Sequence, residues 1–203
     1  MTTPLLLVPL RLEAAAVRAG VPDAPIRRIG MGPIRATVAR ARLQEEPPRP
    51  LALVGVGGGL VAGMAPGDVV VATSVSTRGG APIALRHASE VALACREAGC
   101  PVTEAPIVSS PKIVSGAAAR AAAASDGAVA VDMEAYWCAP LAVTRPFVVV
   151  RVLLDVPGAE LVSWRLPRAC ATAWRSLKLA ARAVASWSPT SLDPQSLLEV
   201  GDS

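Results

Sequence analysis

Apolar and polar positions along the 203-residue chain follow two periods in turn. Short apolar runs at 5–8, 26–29, 51–56, 69–73, 107–109, 128–131 and 147–154 have the length of buried strands, and the last is broken only by Arg151. Between them lie stretches with helical spacing. An Ala-rich segment follows Glu13, residues 34–43 set Ile34, Val38 and Ala41 on one side, and 89–98 ends at Gly99, a C-cap position. Residues 117–124 predict a further helix, 134–143 a buried one, and 167–187 a long amphipathic one. Residues 45–50 and 76–82 read as loops, and the glycines at 57–59 as a break after the third strand. Strands and helices alternate, and several strands are apolar on both faces, which predicts an α/β fold with helices on both sides of one sheet. With no internal repeat and no linker, the pattern gives a single domain over 1–189 and a polar, frayed tail over 190–203.

Composition removes several classes of protein. Hydrophobic residues reach 52 %, with mean hydropathy +0.46, but alanine accounts for much of this. The longest uncharged stretch, 50–67, is interrupted by glycines and prolines and makes a poor membrane span. The first apolar run lacks a basic leader and is interrupted by Pro9 and Arg11, so it reads as a strand, and the expected location is the cytosol. Four cysteines without C-x-x-C spacing and a single histidine, His87, argue against a zinc site, a disulfide framework or a serine–histidine triad. A net charge of +4, 3 % aromatics and no basic run argue against nucleic-acid binding.

In a sheet of this kind ligands bind beyond the carboxyl ends of the strands. The polar residues there are Glu13, the Gly30-Met31-Gly32 turn, Asp132 to Glu134, and Asp155. Asp155 ends a nearly all-apolar run, where desolvation raises a carboxyl pKa and suits it to give a proton to a leaving group; an N-cap or loop aspartate is the equal alternative. Glu134 can accept hydrogen bonds from two neighbouring hydroxyls, or it can be a glutamate favoured by a helix dipole. Gly30 and Gly32, and Gly57 and Gly58, let backbone N–H groups approach an anion or a sugar, though neither set completes a known phosphate-binding motif.

Five blocks, in order, resemble one superfamily: PLRLEAAAV (9–17), IGMGPIRA (29–36), VGVGGGLVAGMAPGDVVVATSV (54–75), AVDMEAYWCA (130–139) and VVVRVLLD (148–155). The superfamily includes methylthioadenosine/S-adenosylhomocysteine nucleosidase and bacterial purine nucleoside phosphorylases. The resemblance implies a nucleoside phosphorylase-like three-layer sandwich with a central mixed, mostly parallel sheet. It implies that Met133 and Glu134 hold a ribose, that Asp155 protonates the purine N7, that Glu13 orients or deprotonates the nucleophile, and that the Gly30–Gly32 amides line the nucleophile pocket. The sequence departs from the family pattern at Val56, where a Ser or Thr is common, and at 109–112, which offers no aromatic to stack on the base.

Within the superfamily the short chain, LRLEA and AVDMEA look most like the hopanoid-associated phosphorylases, which release adenine from adenosylhopane. This implies a small-molecule nucleoside partner, no cofactor, and inorganic phosphate as co-substrate, with Arg11, Arg35 and Arg78 as candidate phosphate ligands. Two alternatives stay open: a hydrolytic nucleosidase acting on methylthioadenosine, S-adenosylhomocysteine or futalosine, and a non-catalytic nucleoside-binding protein. A homodimer is expected. The 167–187 helix carries Arg168, Arg175, Lys178 and Arg182 on one side and tryptophans on another, which reads as ordinary core packing or as peripheral contact with anionic lipid.

Overall fold

The computed structural model describes residues 3–124, 126–158 and 166–189. Leu5–Val8 (β1) is fully buried and lies parallel to both Ile26–Arg28 (β2) and Leu51–Gly59 (β3), reached through the helices Arg11–Gly20 (α1) and Pro33–Gln44 (α2). Val69–Thr77 (β4) and Gly80–Ala84 (β5) form a hairpin. Ala88–Glu97 (α3), Val102–Ser109 (β6), Ala117–Ala123 (α4) and Ala130–Asp132 (β7) follow. A one-turn helix, Ala135–Cys138 (α5), passes into the 3-10 turn Ala139–Val143 before Phe147–Asp155 (β8) and Leu166–Ser186 (α6).

The strands run in the order β2-β1-β3-β7-β6-β4-β5, and β8 pairs with both β3 and β4. The sheet is mixed and mostly parallel, as expected, and it also closes on itself. β3 pairs with β1 over its first residues and with β7 at Gly58 and Gly59, while β8 lies along its other edge. β4 joins the far edge of β8, antiparallel, and leads back through β6 to β7. Strand β3 therefore bends, with a register shift against β8 between Gly57 and Gly58.

Alternation along β8 divides the core. Val148, Val150 and Val152 pack with residues of α1, α3 and α6, whereas Phe147, Val149 and Leu153 pack with residues of α2 and α5. Arg151 occupies a position on the second face that the pattern would give to an apolar residue. In α6, Leu177, Ala181 and Val184 are fully buried. Truncating Leu177 to Ala is expected to cost about 2–5 kcal/mol.

Three expectations change, and one open alternative is resolved. The glycines at 57–59 are strand rather than a break: a Cβ on Gly57 would lie 2.9 Å from the Val131 carbonyl oxygen, so the missing side chain is what lets β7 approach. Residues 76–82, expected as a loop, are the end of β4 and the start of β5. The helix expected over 134–143 is one α-turn and a 3-10 turn, with Pro140 at its start. The tryptophans at the helix face inward: Trp187, just past the end of α6, is buried, with Nε1 donating to Glu90 Oε2 at 2.8 Å, and Trp174 packs partly buried against the same core. Arg168, Arg175 and Arg182 remain exposed, so the core-packing reading accounts for the helix and the lipid reading loses its aromatic anchors. The 190–203 tail lies outside the described residues. Among the described residues no helix is long and apolar enough to cross a membrane.

Candidate active site

A cavity of about 190 Å³ opens at the carboxyl ends of β1, β3, β7 and β8. Four acids line it: Glu13, Asp132, Glu134 and Asp155. Lys112 is the one cationic side chain lining it among the described residues.

Glu13 sits in the first turn of α1 and is 1 % exposed. Its Oε2 accepts the Leu10 N–H at 2.7 Å, folding back on the start of its own helix, and its Oε1 accepts the Val56 N–H of β3 at 2.7 Å. Burial raises its pKa above the ordinary glutamate value; the Val56 and Leu10 N–H groups and the charge of Arg151 work against that rise. Each oxygen keeps a lone pair for a further donor.

Glu134 stands at the N-cap of α5, yet its carboxylate does not cap that helix. Oε1 accepts the Gly32 N–H at 2.9 Å, and Oε2 lies 3.2 Å from Arg151 Nη2. Asp132 does the local work instead: its Oδ2 accepts the Ala135 N–H at 3.0 Å. Burial pushes the Glu134 pKa up to about 7, with Arg151 opposing and Asp132 adding to the rise.

Arg151 is the hub. It is fully buried, and donates to Asp132 Oδ2 through Nε at 2.8 Å and through Nη2. Complete burial pulls its pKa down, but Asp132, Glu134 and Glu13 together push it above the usual arginine value. Gly55 makes room for it: a Cβ there would lie 2.7 Å from Arg151 Nη1 and 2.9 Å from Glu13 Oε1. Ser109 completes the network, donating to Asp132 Oδ1 and accepting the Tyr136 N–H at 2.9 Å.

Asp155 closes the other end. It is not the isolated carboxyl in an apolar pocket that its sequence context suggests: the buried Arg120 of α4 donates to its Oδ2. Apolar contact in the cavity comes from Met31, Met133, Ile113, Val114 and Val131, and no aromatic side chain lines it among the described residues.

Of the residues singled out in the sequence, Glu13, Gly57, Gly58, Met133, Glu134 and Asp155 line this one cavity. Gly30 and Gly32 flank Met31, which does line it, and the Gly32 N–H is engaged by Glu134 rather than turned to a ligand. None of Arg11, Arg35 and Arg78 lines it. Arg35 borders a separate surface cleft along α2 with Arg27, Arg28 and Arg42. Sequence reasoning missed Arg120 and gave no role to Arg151. The signal for Arg151 was present, because a charge inside an otherwise apolar strand demands a buried counter-charge.

The carboxyl ends of this closed α/β sheet thus gather a cluster of buried acids around one cavity. The sequence profile of the phosphorylase superfamily matches residues 13–181, and the chain belongs to that superfamily. Its fold is similar to the 5'-methylthioadenosine/S-adenosylhomocysteine nucleosidase from Neisseria meningitidis in complex with methylthio-immucillin-A, at 21 % identity over 92 % of this chain and 100 % of that one, with a TM-score of 0.76. The corresponding nucleosidase from Campylobacter jejuni matches at 16 % identity over 91 % of this chain and 97 % of that one, with a TM-score of 0.77. Futalosine hydrolase of Helicobacter pylori matches at 15 % identity over 90 % and 95 %, with a TM-score of 0.73. A search of curated protein sequences finds no match.

Proposed function

We propose that this chain hydrolyses the N-glycosidic bond of a 5′-substituted purine nucleoside. The observation that carries this reading is the charge of the cavity lining: four acids against one lysine among the described residues. Cleavage of a glycosidic bond passes through a cationic, oxocarbenium-like sugar, which such a lining stabilises. Both buried guanidiniums, Arg120 and Arg151, are already engaged by Asp155, Asp132 and Glu134, which leaves Lys112 alone in the lining to receive a phosphate dianion, so water is favoured as the acceptor. Glu13 takes a proton from water as the oxygen attacks C1′. Glu134 accepts hydrogen bonds from the 2′ and 3′ hydroxyls with its remaining lone pairs. Asp155 gives a proton to N7 as the electron pair of the C1′–N9 bond moves onto the base.

Phosphorolysis of adenosylhopane, implied by the sequence resemblance, keeps support from one observation. Leu10, Met31 and Ile113 line the cavity and are exposed at 38 %, 45 % and 64 %, giving it an apolar rim suited to a hydrocarbon on the 5′ carbon. The rim fits methylthioadenosine, futalosine or a bulkier substituent without fixing the acceptor. Ile34 and Val38 extend exposed apolar surface along α2, which supports the expected homodimer, and sedimentation at micromolar concentration gives its mass.

A panel of adenosine, methylthioadenosine, S-adenosylhomocysteine, futalosine and adenosylhopane, each with and without phosphate and with free base as readout, tests the reading. Base release without phosphate is expected. Strict phosphate dependence makes the chain a phosphorylase, and binding with no base release from any substrate makes it a non-catalytic nucleoside-binding protein.

A further inference from the structure

Helix α3 ends at Gly99, whose φ of 82° lies in the left-handed region that glycine reaches without strain. The Gly99 N–H donates to the Arg96 carbonyl oxygen at 2.9 Å, and the Cys100 N–H donates to the Cys95 carbonyl oxygen at 3.0 Å. These two bonds form a Schellman motif, which folds the residue after the glycine back onto the last turn of its helix. The two side chains that meet in such a turn are ordinarily apolar. Here both are cysteines. Cys95 is 0 % exposed and Cys100 6 %, and both belong to the core cluster shared by α1, α3 and α6. The Cys95 thiol donates to the Cys100 sulfur, which holds the Cys100 pKa below the ordinary thiol value and drives that of Cys95 up. Depth separates them further: Cys95 lies wholly inside, whereas Cys100 stands between the exposed residues Gly99 and Pro101. Cys138, also buried, has a different setting, facing the Ala36 carbonyl oxygen at 3.9 Å, and burial pushes its pKa up to about 12.

We infer that Cys95 and Cys100 form a redox site, in which a hydroperoxide oxidises Cys100 and Cys95 resolves the product into a reversible disulfide across the Gly99 turn. A thiolate near the surface with a second thiol directly beneath it is the arrangement that such chemistry needs. The inference does not rest on the glycosidic-cleavage reading. The turn lies at the amino end of β6, where the Pro101 carbonyl oxygen accepts the Val69 N–H at 2.8 Å, and neither cysteine lines the cavity. With hydrogen peroxide, the Cys100 sulfur first attacks one peroxide oxygen and the O–O bond breaks. The other oxygen takes up the thiol proton and leaves as water, and Cys100 becomes a sulfenic acid. The Cys95 sulfur then attacks the Cys100 sulfur, the S–S bond forms, the S–O bond breaks, and the hydroxyl leaves as water with the Cys95 proton. The two thiols lose two electrons, the peroxide gains two, and two waters form. A disulfide so made fastens the last turn of α3 to the start of β6, and a dithiol reductant reopens it.

The reduced, folded chain is treated with hydrogen peroxide, unfolded in iodoacetamide and digested with trypsin, which cuts between Arg96 and Glu97 and so leaves the two cysteines on separate peptides. Mass spectrometry is expected to find those peptides joined, two hydrogens lighter than their sum, and separated again by dithiothreitol. Loss of the Cys100 thiol is expected to be at least about tenfold faster than loss of the Cys138 thiol. In Cys95→Ser, dimedone is expected to capture a sulfenic acid at Cys100, because the resolving thiol is gone. In Cys100→Ser, Cys95 is expected to oxidise at least about tenfold more slowly than in the wild type. A serine in this core can unfold the chain, so Cys95→Ala and Cys100→Ala repeat the comparison, and the wild-type measurement needs no variant. Separate peptides with both cysteines alkylated, joined peptides that form no faster than Cys138 is lost, or a Cys95 that oxidises at the wild-type rate in folded Cys100→Ser overturn the proposal.

Discussion

The two ends of the cavity hold their acids in opposite ways. At the Glu13–Glu134 end one buried guanidinium, Arg151, is shared between Asp132 and Glu134, and its charge reaches Glu13 as well. Acid outnumbers base there, and burial prevails: Glu13 is raised and Glu134 reaches about 7. At the Asp155 end a second buried guanidinium, Arg120, pairs with one carboxyl group. Surplus acid near neutrality supplies what a cationic sugar and an attacking water need, namely negative charge and a group able to take up a proton. A matched pair leaves no such surplus: Asp155 and Arg120 are both buried and each engages the other. Three substitutions, read by four measurements, break or sharpen this contrast.

The largest effect is expected at the matched pair. Asp155→Asn should lower turnover by at least about 10²-fold while nucleoside binding, measured by calorimetry, largely survives. Turnover near the wild-type level would remove Asp155 from the mechanism. Next comes Glu134→Gln, which turns one carboxylate oxygen into a donor and should lower kcat/KM by at least about tenfold, with KM and kcat both affected. Ribosides and 2′-deoxyribosides should then react alike; a variant that still prefers ribose as strongly as the parent contradicts the assignment.

A smaller effect separates the ends by pH. The ionised forms of Glu13 and Glu134 are the ones that accept protons and hydroxyl hydrogen bonds, so kcat/KM should fall as pH drops through about 7. Asp132→Asn removes a negative charge that raises the Glu134 pKa, and should move this acid limb to lower pH. A limb that stays in place shows that neither acid limits the profile.

The smallest effect is on stability. Because the folded-state pKa of Glu134 is raised from 4.5 to about 7, its favourable contribution is complete below the unfolded value and is lost as pH rises toward the folded one. Glu134→Gln carries no such dependence. Its Tm relative to wild type should therefore climb by a few degrees between about pH 5 and pH 8. A difference independent of pH contradicts the raised pKa.

The sequence discloses these two ends unequally. Strand β1 and the acids Glu13, Glu134 and Asp155 follow from apolar runs that stop at a carboxylate, a pattern local in the chain. Arg151 stands out as the one charge in β8, and its partners sit in the adjacent AVDMEA block. Arg120 shows no such mark, because an arginine among alanines is the usual look of a solvated helix, and only tertiary folding brings it to a carboxylate 35 residues away. The glycines at 57–59 mislead for a related reason: lacking side chains they read as a break, while their purpose is a contact with β7, far along the chain. Local patterns disclose which residues end strands, and not which distant element comes to meet them.

The central claim is that an acid-rich cavity directs water, not phosphate, to the sugar of a purine nucleoside. Mass spectrometry of the sugar product, formed in saturating phosphate from the best substrate of the panel, tests it most directly. The account predicts the free 5′-substituted ribose alongside the free purine. A ribose 1-phosphate product, or no release of base, would contradict it.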